Sequence, residues 1–388
     1  MSNDRAALEP ALLSTWGDHL SRPLLIAGPC SAESEEQVMV TARGIVKTAP
    51  GVRVFRAGVW KPRTRPGAFE GMGEEALVWL QRVKRETGLF TATEVATPEH
   101  VDACLRHGND MLWIGARTTP NPFSVQAIAD ALRGVDIPVM VKNPINPDLQ
   151  LWVGALERLH RVGIRKLAAV HRGFSWSGFT PYRNSPMWEF PIRLAAAYPE
   201  LPLLCDPSHI AGKPEKLHEV AQKALDLNFS GLMVETHHAP ASALSDADQQ
   251  IDPHELRRLL GSLSFRAAAP DARLRDRLEE LRDLIDHLDA DIAQKLGARM
   301  DLSERIGAYK RDHNVAILQP ERWERIMSAQ AELGRRLGLS PDFIEGFMNA
   351  IHQESIRRQT EAWEQQTEPS EGSPVFGPGK VAGPGLAT

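Results

Sequence analysis

The chain of 388 residues predicts two or three domains, and its 42% hydrophobic and 24% charged residues are ordinary for a soluble globular protein. A formal net charge of -5 argues against general nucleic-acid binding, and no apolar run approaches the roughly 20 residues of a membrane helix. Because the N-terminus has no apolar signal core and the three cysteines are widely spaced, we expect a reducing cytoplasm and no disulfide framework.

After a polar lead-in at 1–22, one unit repeats up to about residue 240: a short apolar strand, a loop with a polar residue and an amphipathic stretch. The predicted strands are Leu24–Ala27, Val52–Ala57, Leu89–Thr93, Met111–Gly115, Pro138–Lys142, Lys166–His171, Leu201–Cys205 and Gly231–Glu235. The predicted helical stretches include Glu35–Thr48, Glu74–Thr87, Pro98–His107 and Pro214–Leu227. Eight such units predict an α/β fold, a (β/α)8 barrel over 23–265. A doubly wound open sheet is the alternative, but no GxGxxG motif follows any strand.

A polar or charged residue lies at the carboxyl end of each predicted strand. In chain order these residues are Cys30, Arg56 with Lys61, Glu94, Arg117, Lys142, Arg172, Asp206 with His209, and Glu235. A barrel gathers the carboxyl ends of all its strands around one mouth, where barrel active sites lie. The pattern therefore predicts an active site at this mouth rather than a solvated surface.

The predicted mouth residues fall into two chemical sets. One set is cationic and suits the phosphate or carboxylate groups of substrates: Arg56, Lys61, Arg63, Arg117, Lys142 and Arg172. Within this set, Pro62 fixes the backbone between Lys61 and Arg63, so that both side chains have a set direction. The other set mixes a thiol, an imidazole and two carboxylates, a combination that suits a divalent first-row metal: Cys30, His209, Glu235 and Asp246.

Five ordered motifs resemble a known family. GPCSAES, KPRT, IGAR, the DPSH of CDPSHIAGK, and VETH followed by ALSDADQQ are similar to 3-deoxy-D-arabino-heptulosonate 7-phosphate (DAHP) synthase of the shorter bacterial lineage, over about Pro23 to Leu263. This family condenses phosphoenolpyruvate with erythrose 4-phosphate at the mouth of a (β/α)8 barrel that holds a divalent metal. The family's regulatory N-terminal domain is expected to be absent, since some twenty residues precede the first strand.

The resemblance implies roles for individual residues. It implies one divalent ion, Mn²⁺, Fe²⁺, Co²⁺ or Zn²⁺, on Cys30, His209, Glu235 and Asp246. It implies phosphoenolpyruvate contacts from Arg56, Lys61, Glu94, Arg117, Lys142 and Arg172, in a substrate set that also contains Ala116 and Asp206. The sugar phosphate is expected on Lys61, Pro62, Arg63 and Thr64. Lys61 is the candidate for protonating the new alkoxide, and Glu94 or His209 for positioning the attacking water.

Composition changes at a predicted linker, 266–273, and strand signals vanish after it. An apolar seam at three- and four-residue spacing predicts a long helix: Leu278, Leu281, Ile285, Leu288 and Ile292. Arg299 and Lys310 lie eleven residues apart, close to three helical turns, so they share a face. A helical domain is predicted over 274–366, and the Pro-, Gly- and Ser-rich tail 367–388 is expected to be disordered.

The helical region resembles the all-helical chorismate mutases from about Leu274 to Gln359. Six residues fall where that family contacts its substrate: Arg282, Arg299, Lys310, Arg322, Ser355 and Gln359. The resemblance implies rearrangement of chorismate to prephenate, with Arg299, Lys310 and Gln359 as catalytic residues. Arg282 would serve the partner's pocket in a homodimer formed through this domain. Gln319 and Trp323 depart from a well-studied branch of the family, which has an acid before the second helix and a Glu after the arginine of that helix.

Several alternatives remain open at this level. The barrel chemistry also suits a 3-deoxy-octulosonate 8-phosphate synthase, or a Schiff-base aldolase that uses Lys142. The helical segment is alternatively a dimerisation and regulatory module without mutase activity, for which Trp323 is the best support. For a bifunctional enzyme of aromatic amino-acid biosynthesis, we expect feedback on the barrel by prephenate or chorismate bound to the helical domain.

Overall fold

A computed structural model describes residues 8–18, 20–62, 67, 69–178, 180–266 and 272–364, with residues 272–276 described by their backbone alone. The chain divides into two compact units, the first ending at Ala268 and the second beginning at Ala269. Residues 267–271 of the predicted linker and the predicted tail from 367 lie outside the described residues. Over the described ranges, no helix combines the length and the apolar character that crossing a bilayer requires.

Within the described residues, eight parallel strands form a closed barrel in chain order, with β8 paired to β1. The strands are β1 (Leu24–Gly28), β2 (Val54–Arg56), β3 (Phe90–Val95), β4 (Met111–Ile114), β5 (Val139–Lys142), β6 (Leu167–His171), β7 (Leu203–Cys205) and β8 (Gly231–Glu235). Each lies within two residues of its predicted bounds. The predicted (β/α)8 barrel is confirmed, and the alternative of an open doubly wound sheet is wrong.

Helices alternate with these strands and cover the outside of the barrel. They are α1 (Glu35–Thr48), α2 (Glu74–Thr87), α3 (Pro98–Arg106), α4 (Pro122–Ala131), α5 (Leu149–Arg161), α6 (Glu189–Ala197), α7 (Pro207–Ala211), α8 (Leu217–Asp226) and α9 (Pro253–Ser262). Many begin with a side-chain cap; Asp206, for example, accepts a hydrogen bond from the backbone N–H of His209 at the start of α7. Such caps satisfy backbone donors that the first turn leaves unpaired.

The strands are buried on both faces, which is why they read as continuous apolar runs. Alternate residues point into the barrel and form one inner cluster, which includes Ile26, Val54, Ala92, Trp113, Met140, Val170, Leu204 and Met233. The intervening residues face the helices and form a second, larger cluster. This two-residue alternation sets the direction of every side chain at the strand ends.

The segment before β1 closes the amino end of the barrel. Leu13, Trp16 and Leu20 are buried in the inner cluster, beside Leu24 and Met111 at the starts of their strands. The described part of the predicted lead-in is therefore packed against the barrel. It covers the end of the barrel opposite the mouth.

The second unit is helical, as predicted. Its helices are α10 (Ala272–Asp312), α11 (Pro320–Arg336) and α12 (Pro341–Glu364). A small core joins them through Met300, Ile344, Met348 and Ile351. Gly307 lets α10 approach α12 closely, because a Cβ atom there would lie 2.8 Å from the Cα of Gln359. The predicted seam of α10 does not join this core: Leu281, Ile285, Leu288 and Ile292 are 43–61% exposed in the single chain.

Candidate functional site

The inner row of the barrel continues upward from apolar into polar residues. On β2 the inward-facing Val54 is followed two residues later by Arg56, on β5 Met140 by Lys142, and on β8 Met233 by Glu235. The same step leads from Ala92 to Glu94, from Val170 to Arg172 and from Leu204 to Asp206. The strand alternation therefore directs these polar side chains into the barrel mouth.

A cavity of about 270 Å³ opens at this mouth. Nine of the predicted site residues line it: Lys61, Pro62, Glu94, Ala116, Arg117, Lys142, Arg172, His209 and Asp246. Cys30, Arg56, Asp206 and Glu235 do not line the cavity and are fully buried. Arg63 and Thr64, predicted to hold the sugar phosphate, lie outside the described residues.

Three candidate metal ligands are close together. One ligand atom each of Cys30, Glu235 and Asp246 lies within 4.8 Å of the others. Cys30 Sγ lies 3.3 Å from Asp246 Oδ2, and one thiol with two carboxylates is a donor set that suits a divalent first-row ion. Burial, and then the charge of Glu235, raise the pKa of the Cys30 thiol to about 12. A cation would favour the thiolate, so the residues fit such an ion.

His209, the fourth predicted ligand, lies beside this cluster. Its Nε2 is 3.8 Å from Glu235 Oε1, and its Nδ1 is 2.8 Å from Asp206 Oδ2. Burial lowers the pKa of His209, against the opposing charges of Asp206 and Glu235. The carboxylate at Nδ1 therefore directs Nε2 toward the cluster, as a carboxylate does for metal-bound imidazoles.

Asp206 also holds Lys142. The Lys142 Nζ donates to Asp206 Oδ2 over 2.7 Å, and both side chains are almost fully buried. Burial alone would raise the pKa of Asp206, but His209, Lys142 and Arg56 outweigh it and hold this pKa well below its ordinary value. Lys142 and His209 therefore share one ionised carboxylate, which fixes both at the edge of the cavity.

Arg56 occupies the centre of the buried layer. Its Nη2 lies 3.3 Å from Glu235 Oε1 and donates to the Cys30 carbonyl over 3.2 Å. Its Nε and Nη1 are buried and find no acceptor among the described residues. Buried guanidinium donors without an acceptor are costly, so an anionic ligand that reached them would gain strong hydrogen bonds.

Trp113 forms the floor beneath the cationic groups, and sequence reasoning did not single it out. The Arg56 guanidinium lies 4.9 Å from the centre of its ring and the Lys142 Nζ lies 5.7 Å from it. Its indole N–H donates to Glu94 Oε2 over 3.1 Å. Gly115 makes room for this carboxylate, because a Cβ atom there would lie 1.9 Å from Glu94 Oε1.

Lys61 reaches the metal cluster from the loop after β2. Its Nζ lies 3.0 Å from Cys30 Sγ and 3.1 Å from the Cys30 carbonyl oxygen. Burial lowers the pKa of Lys61, but Cys30, Glu94 and Glu235 outweigh burial and raise the pKa above its ordinary value. The side chain is therefore an ammonium group at neutral pH, able to donate a proton into the cavity.

Two further residues that sequence reasoning missed line the cavity. Asn184 accepts from Arg172 Nη1 over 2.7 Å and donates to the His209 carbonyl over 2.6 Å. Arg183 donates to Asp246 Oδ1 over 3.0 Å. Burial lowers the pKa of Arg172 to about 10, although it still carries its charge at neutral pH. Arg183 and Asn184 lie in the middle of the loop between β6 and α6. They are far from the end of β6, so the pattern of polar residues at strand ends could not identify them.

In the helical unit, four predicted residues lie on α10 and α12: Arg299, Lys310, Ser355 and Gln359. Arg299 Nη1 donates to Ser355 Oγ over 2.5 Å, and burial lowers the pKa of this guanidinium. Gln359 is buried on the next turn of α12, and its Oε1 has no donor among the described residues. Lys310 Nζ donates to the Ile317 carbonyl over 2.5 Å, and burial lowers its pKa as well. Cationic and amide groups thus face the space between these helices.

The other predicted mutase residues are not gathered there in the single chain. Arg282 is exposed and pairs with Glu279 on its own helix, and Arg322 is exposed at the start of α11. Trp323, one of the two predicted departures, stacks on His352 with ring centres 4.0 Å apart. The Trp323 side chain therefore packs against the core of the helical unit.

Comparison with known proteins gives two family matches. A sequence model of the DAHP synthetase I family matches residues 16–264, and one of chorismate mutase type II matches residues 281–360. A phospho-2-dehydro-3-deoxyheptonate aldolase of Thermotoga maritima is 30% identical over 228 residues, which cover 59% of this chain and 65% of that protein. A 2-dehydro-3-deoxyphosphooctonate aldolase of Polaromonas naphthalenivorans is 28% identical over 264 residues, which cover 62% of this chain and 88% of that one.

A solved structure of a Thermotoga maritima protein with the same description is also similar to this chain. A crystal structure of phospho-2-dehydro-3-deoxyheptonate aldolase (DAHP synthase) from this organism superposes with a TM-score of 0.58 and 26% identity. The match covers 65% of this chain and 72% of that chain. The likeness supports the barrel architecture described above.

Proposed function

The chain belongs to the DAHP synthetase I family and also carries a chorismate mutase type II segment, and from this premise we propose that it catalyses two reactions. The barrel condenses phosphoenolpyruvate with erythrose 4-phosphate to 3-deoxy-D-arabino-heptulosonate 7-phosphate. The helical unit rearranges chorismate to prephenate. The observation that carries the first reaction is a cluster of Cys30, Glu235 and Asp246 beside a cavity lined by Lys61, Arg117, Lys142 and Arg172.

The cationic lining suits the phosphate and carboxylate of phosphoenolpyruvate. Lys142 and Arg172 are each held by a neighbour, Asp206 and Asn184, so both present fixed charges to the substrate. The enol carbon attacks the aldehyde carbon, water adds at C2 of the former phosphoenolpyruvate, and inorganic phosphate leaves. Lys61 protonates the alkoxide formed from the aldehyde oxygen.

Cys30, Glu235 and Asp246, with His209 beside them, would hold the divalent ion. When bound, this ion supplies Lewis-acid polarisation of the aldehyde oxygen. The chain's own contribution is to orient both substrates and to place the Lys61 ammonium 3.0 Å from the Cys30 thiol. The predicted ion is one of Mn²⁺, Fe²⁺, Co²⁺ or Zn²⁺, and metal analysis of the purified chain would identify it.

A single assay series tests both activities and the metal requirement. We expect the whole chain to consume phosphoenolpyruvate with erythrose 4-phosphate and not with arabinose 5-phosphate, and to convert chorismate to prephenate. Chelation should abolish the condensation and spare the mutase, because the metal cluster found among the described residues lies in the barrel. A preference for arabinose 5-phosphate would instead support an octulosonate synthase, the activity named for the Polaromonas relative. Full condensation in a chelated, metal-free sample would disprove the metal assignment.

The mutase reaction needs a held conformer and stabilised charge, not an acid and a base. The rearrangement is a single pericyclic step in which negative charge develops on the ether oxygen. Arg299 suits a substrate carboxylate, and Lys310 and Gln359 suit the ether oxygen. Gln359 Oε1 lacks a donor, and its amide can turn its N–H₂ group to the substrate instead.

We infer that the helical unit forms a homodimer. Leu281, Leu284, Ile285, Leu288 and Ile292 form a stripe on α10 that is 43–62% exposed, which a second copy would cover. Arg282 precedes Arg299 by seventeen helical residues, or about 26 Å, so it cannot reach the same pocket of its own chain. In a dimer of antiparallel α10 helices, each Arg282 would enter the pocket of the other chain.

Mixing variants tests this arrangement. Arg282→Ala and Arg299→Ala chains should each lack mutase activity, and each mixed dimer should regain one of its two pockets, because that pocket keeps both arginines. Isotope-labelled chains measured by native mass spectrometry would report subunit exchange. Demonstrated exchange without any recovery of activity would contradict the shared pocket.

Feedback by prephenate or chorismate on the barrel stays a prediction from the sequence, as do cytoplasmic localisation and the domain boundaries at 266–273. The linker residues 267–271 lie outside the described part of the chain.

A further inference from the structure

Gln249 is a fully buried glutamine in the loop between β8 and α9. Its Nε2 donates to Glu235 Oε2 over 2.6 Å. Its Oε1 accepts a short hydrogen bond from Arg183 Nη1. A neutral side chain thus stands between one of the three candidate metal ligands and a cation.

Arg183 connects the same network to a second candidate ligand. The Nη1 that donates to Gln249 also donates to Asp246 Oδ1 over 3.0 Å. The other oxygen of this carboxylate, Oδ2, lies 3.3 Å from Cys30 Sγ. Asp246 is therefore held through Oδ1 while Oδ2 faces the cluster.

Chemistry dictates the orientation of the amide. A guanidinium has donors and no acceptor, and an ionised carboxylate has acceptors and no donor. Only an amide with its oxygen toward Arg183 and its N–H₂ toward Glu235 satisfies both neighbours. Because Arg56 Nη2 lies 3.3 Å from the other oxygen of Glu235, that carboxylate is held on two sides.

The neighbouring residue supports the third candidate ligand. Gln250 is also buried; its Oε1 accepts from the backbone N–H of Cys30 over 2.9 Å, and its Nε2 donates to the Ser245 carbonyl over 2.8 Å. Two consecutive glutamines thus hydrogen-bond to two candidate ligands, Glu235 and Cys30. The loop that carries these glutamines also contains the candidate ligand Asp246.

We propose that Gln249 is a positioning residue of the metal site: it orients Glu235 directly and Asp246 through Arg183. This inference rests on the proposed metal-dependent condensation. Gln249 itself neither lines the mouth cavity nor belongs to the cluster of Cys30, Glu235 and Asp246. Its role is to keep two carboxylates pre-oriented, so that binding an ion does not require them to be ordered first.

The test measures metal binding directly, without turnover. Co²⁺ is titrated into the chelator-treated whole chain, and affinity is followed by calorimetry and by the thiolate-to-Co²⁺ absorption of Cys30. Gln249→Met keeps the side-chain length and removes both polar contacts. Its Kd for Co²⁺ should rise about 10- to 100-fold, as typical for lost partners of metal ligands. The condensation kcat should recover at saturating metal, while the KM for phosphoenolpyruvate stays unchanged.

Controls separate positioning from packing. Gln222 lies on α8, outside the mouth cavity, and donates to Asp226 of the same helix and to the Ser264 carbonyl after α9. Gln222→Met removes these hydrogen bonds and should leave the Kd for Co²⁺ unchanged. Gln249→Asn keeps the amide but is one methylene shorter, so it cannot span both partners; it provides a milder variant if the methionine chain folds poorly. Far-ultraviolet circular dichroism and thermal unfolding report whether the barrel of each variant is folded.

The outcomes distinguish the two proposals. Wild-type chain that binds no Co²⁺ overturns the proposed metal site and this inference with it. Wild-type binding with a Gln249→Met or Gln249→Asn Kd within twofold of it overturns the positioning role alone.

Discussion

Replacing Lys142 with alanine should lower kcat/KM for the condensation about 10³-fold. Removing the cation that contacts a bound anion costs about 2–5 kcal/mol of binding free energy when the contact is buried, and roughly 4 kcal/mol corresponds to this factor. Lys142 lies 2.7 Å from Asp206 at the cavity edge, with 6% of its side chain exposed. Steady-state kinetics with both substrates, alongside mutase activity as a check of the whole chain, would measure the effect.

A matched variant distinguishes charge from covalent chemistry. Lys142→Arg keeps the positive charge and should retain more activity than Lys142→Ala. A Schiff-base aldolase would lose all activity in either variant, and borohydride with substrate would trap its wild-type lysine. The observed pairing argues against that route, because the Lys142 Nζ already donates to the buried carboxylate of Asp206 over 2.7 Å. Near-normal kcat/KM for Lys142→Ala would remove this residue from the substrate site.

Replacing Arg299 with alanine should lower the mutase kcat about 10²- to 10³-fold, the typical effect of removing one pre-oriented charge-stabilising donor. Arg299 is held by Ser355 and loses part of its hydration in the helical unit, so its charge acts at a fixed place. Helix content should not fall, because alanine is the best helix former. Chorismate consumption and far-ultraviolet circular dichroism would measure the two quantities.

Arg357→Ala is the matched control. This arginine lies on α12 with 51% of its side chain exposed and pairs with Glu354 and Glu361, so the same charge is lost at a solvated surface. Its mutase activity should match the wild type. An unaffected Arg299→Ala rate would disprove the assigned pocket. Absence of mutase activity in the wild type would support a helical module for dimerisation and regulation alone.

Much of the barrel site could be predicted from the sequence because two local patterns are visible there: the alternation of side chains along a strand and the repeated strand-helix unit. Alternation along a strand puts Arg56, Lys142 and Glu235 on the same inward row as the apolar residues before them. Repetition of the strand-helix unit brings the ends of all eight strands to one mouth. Neither step needs information about which distant residues meet.

The family resemblance added what periodicity could not. Asp246 follows no strand directly, and the resemblance of ALSDADQQ to the family supported it as a ligand candidate. The structure places its carboxylate beside Cys30. For Arg63 and Thr64 the sequence remains the sole argument, since they lie outside the described residues.

The barrel, the helical unit and the residues at the strand ends could be predicted because they follow from short-range spacing. The loop side chains that hold them became evident only in the folded chain: Gln249 on Glu235, Arg183 on Asp246 and Asn184 on Arg172. It also decided that the apolar stripe of α10 is exposed in one chain rather than buried in its own core. The physical reason is that a hydrogen bond between loops depends on the path of the whole backbone and on the rotamers that packing allows, and neither has a period that a sequence displays.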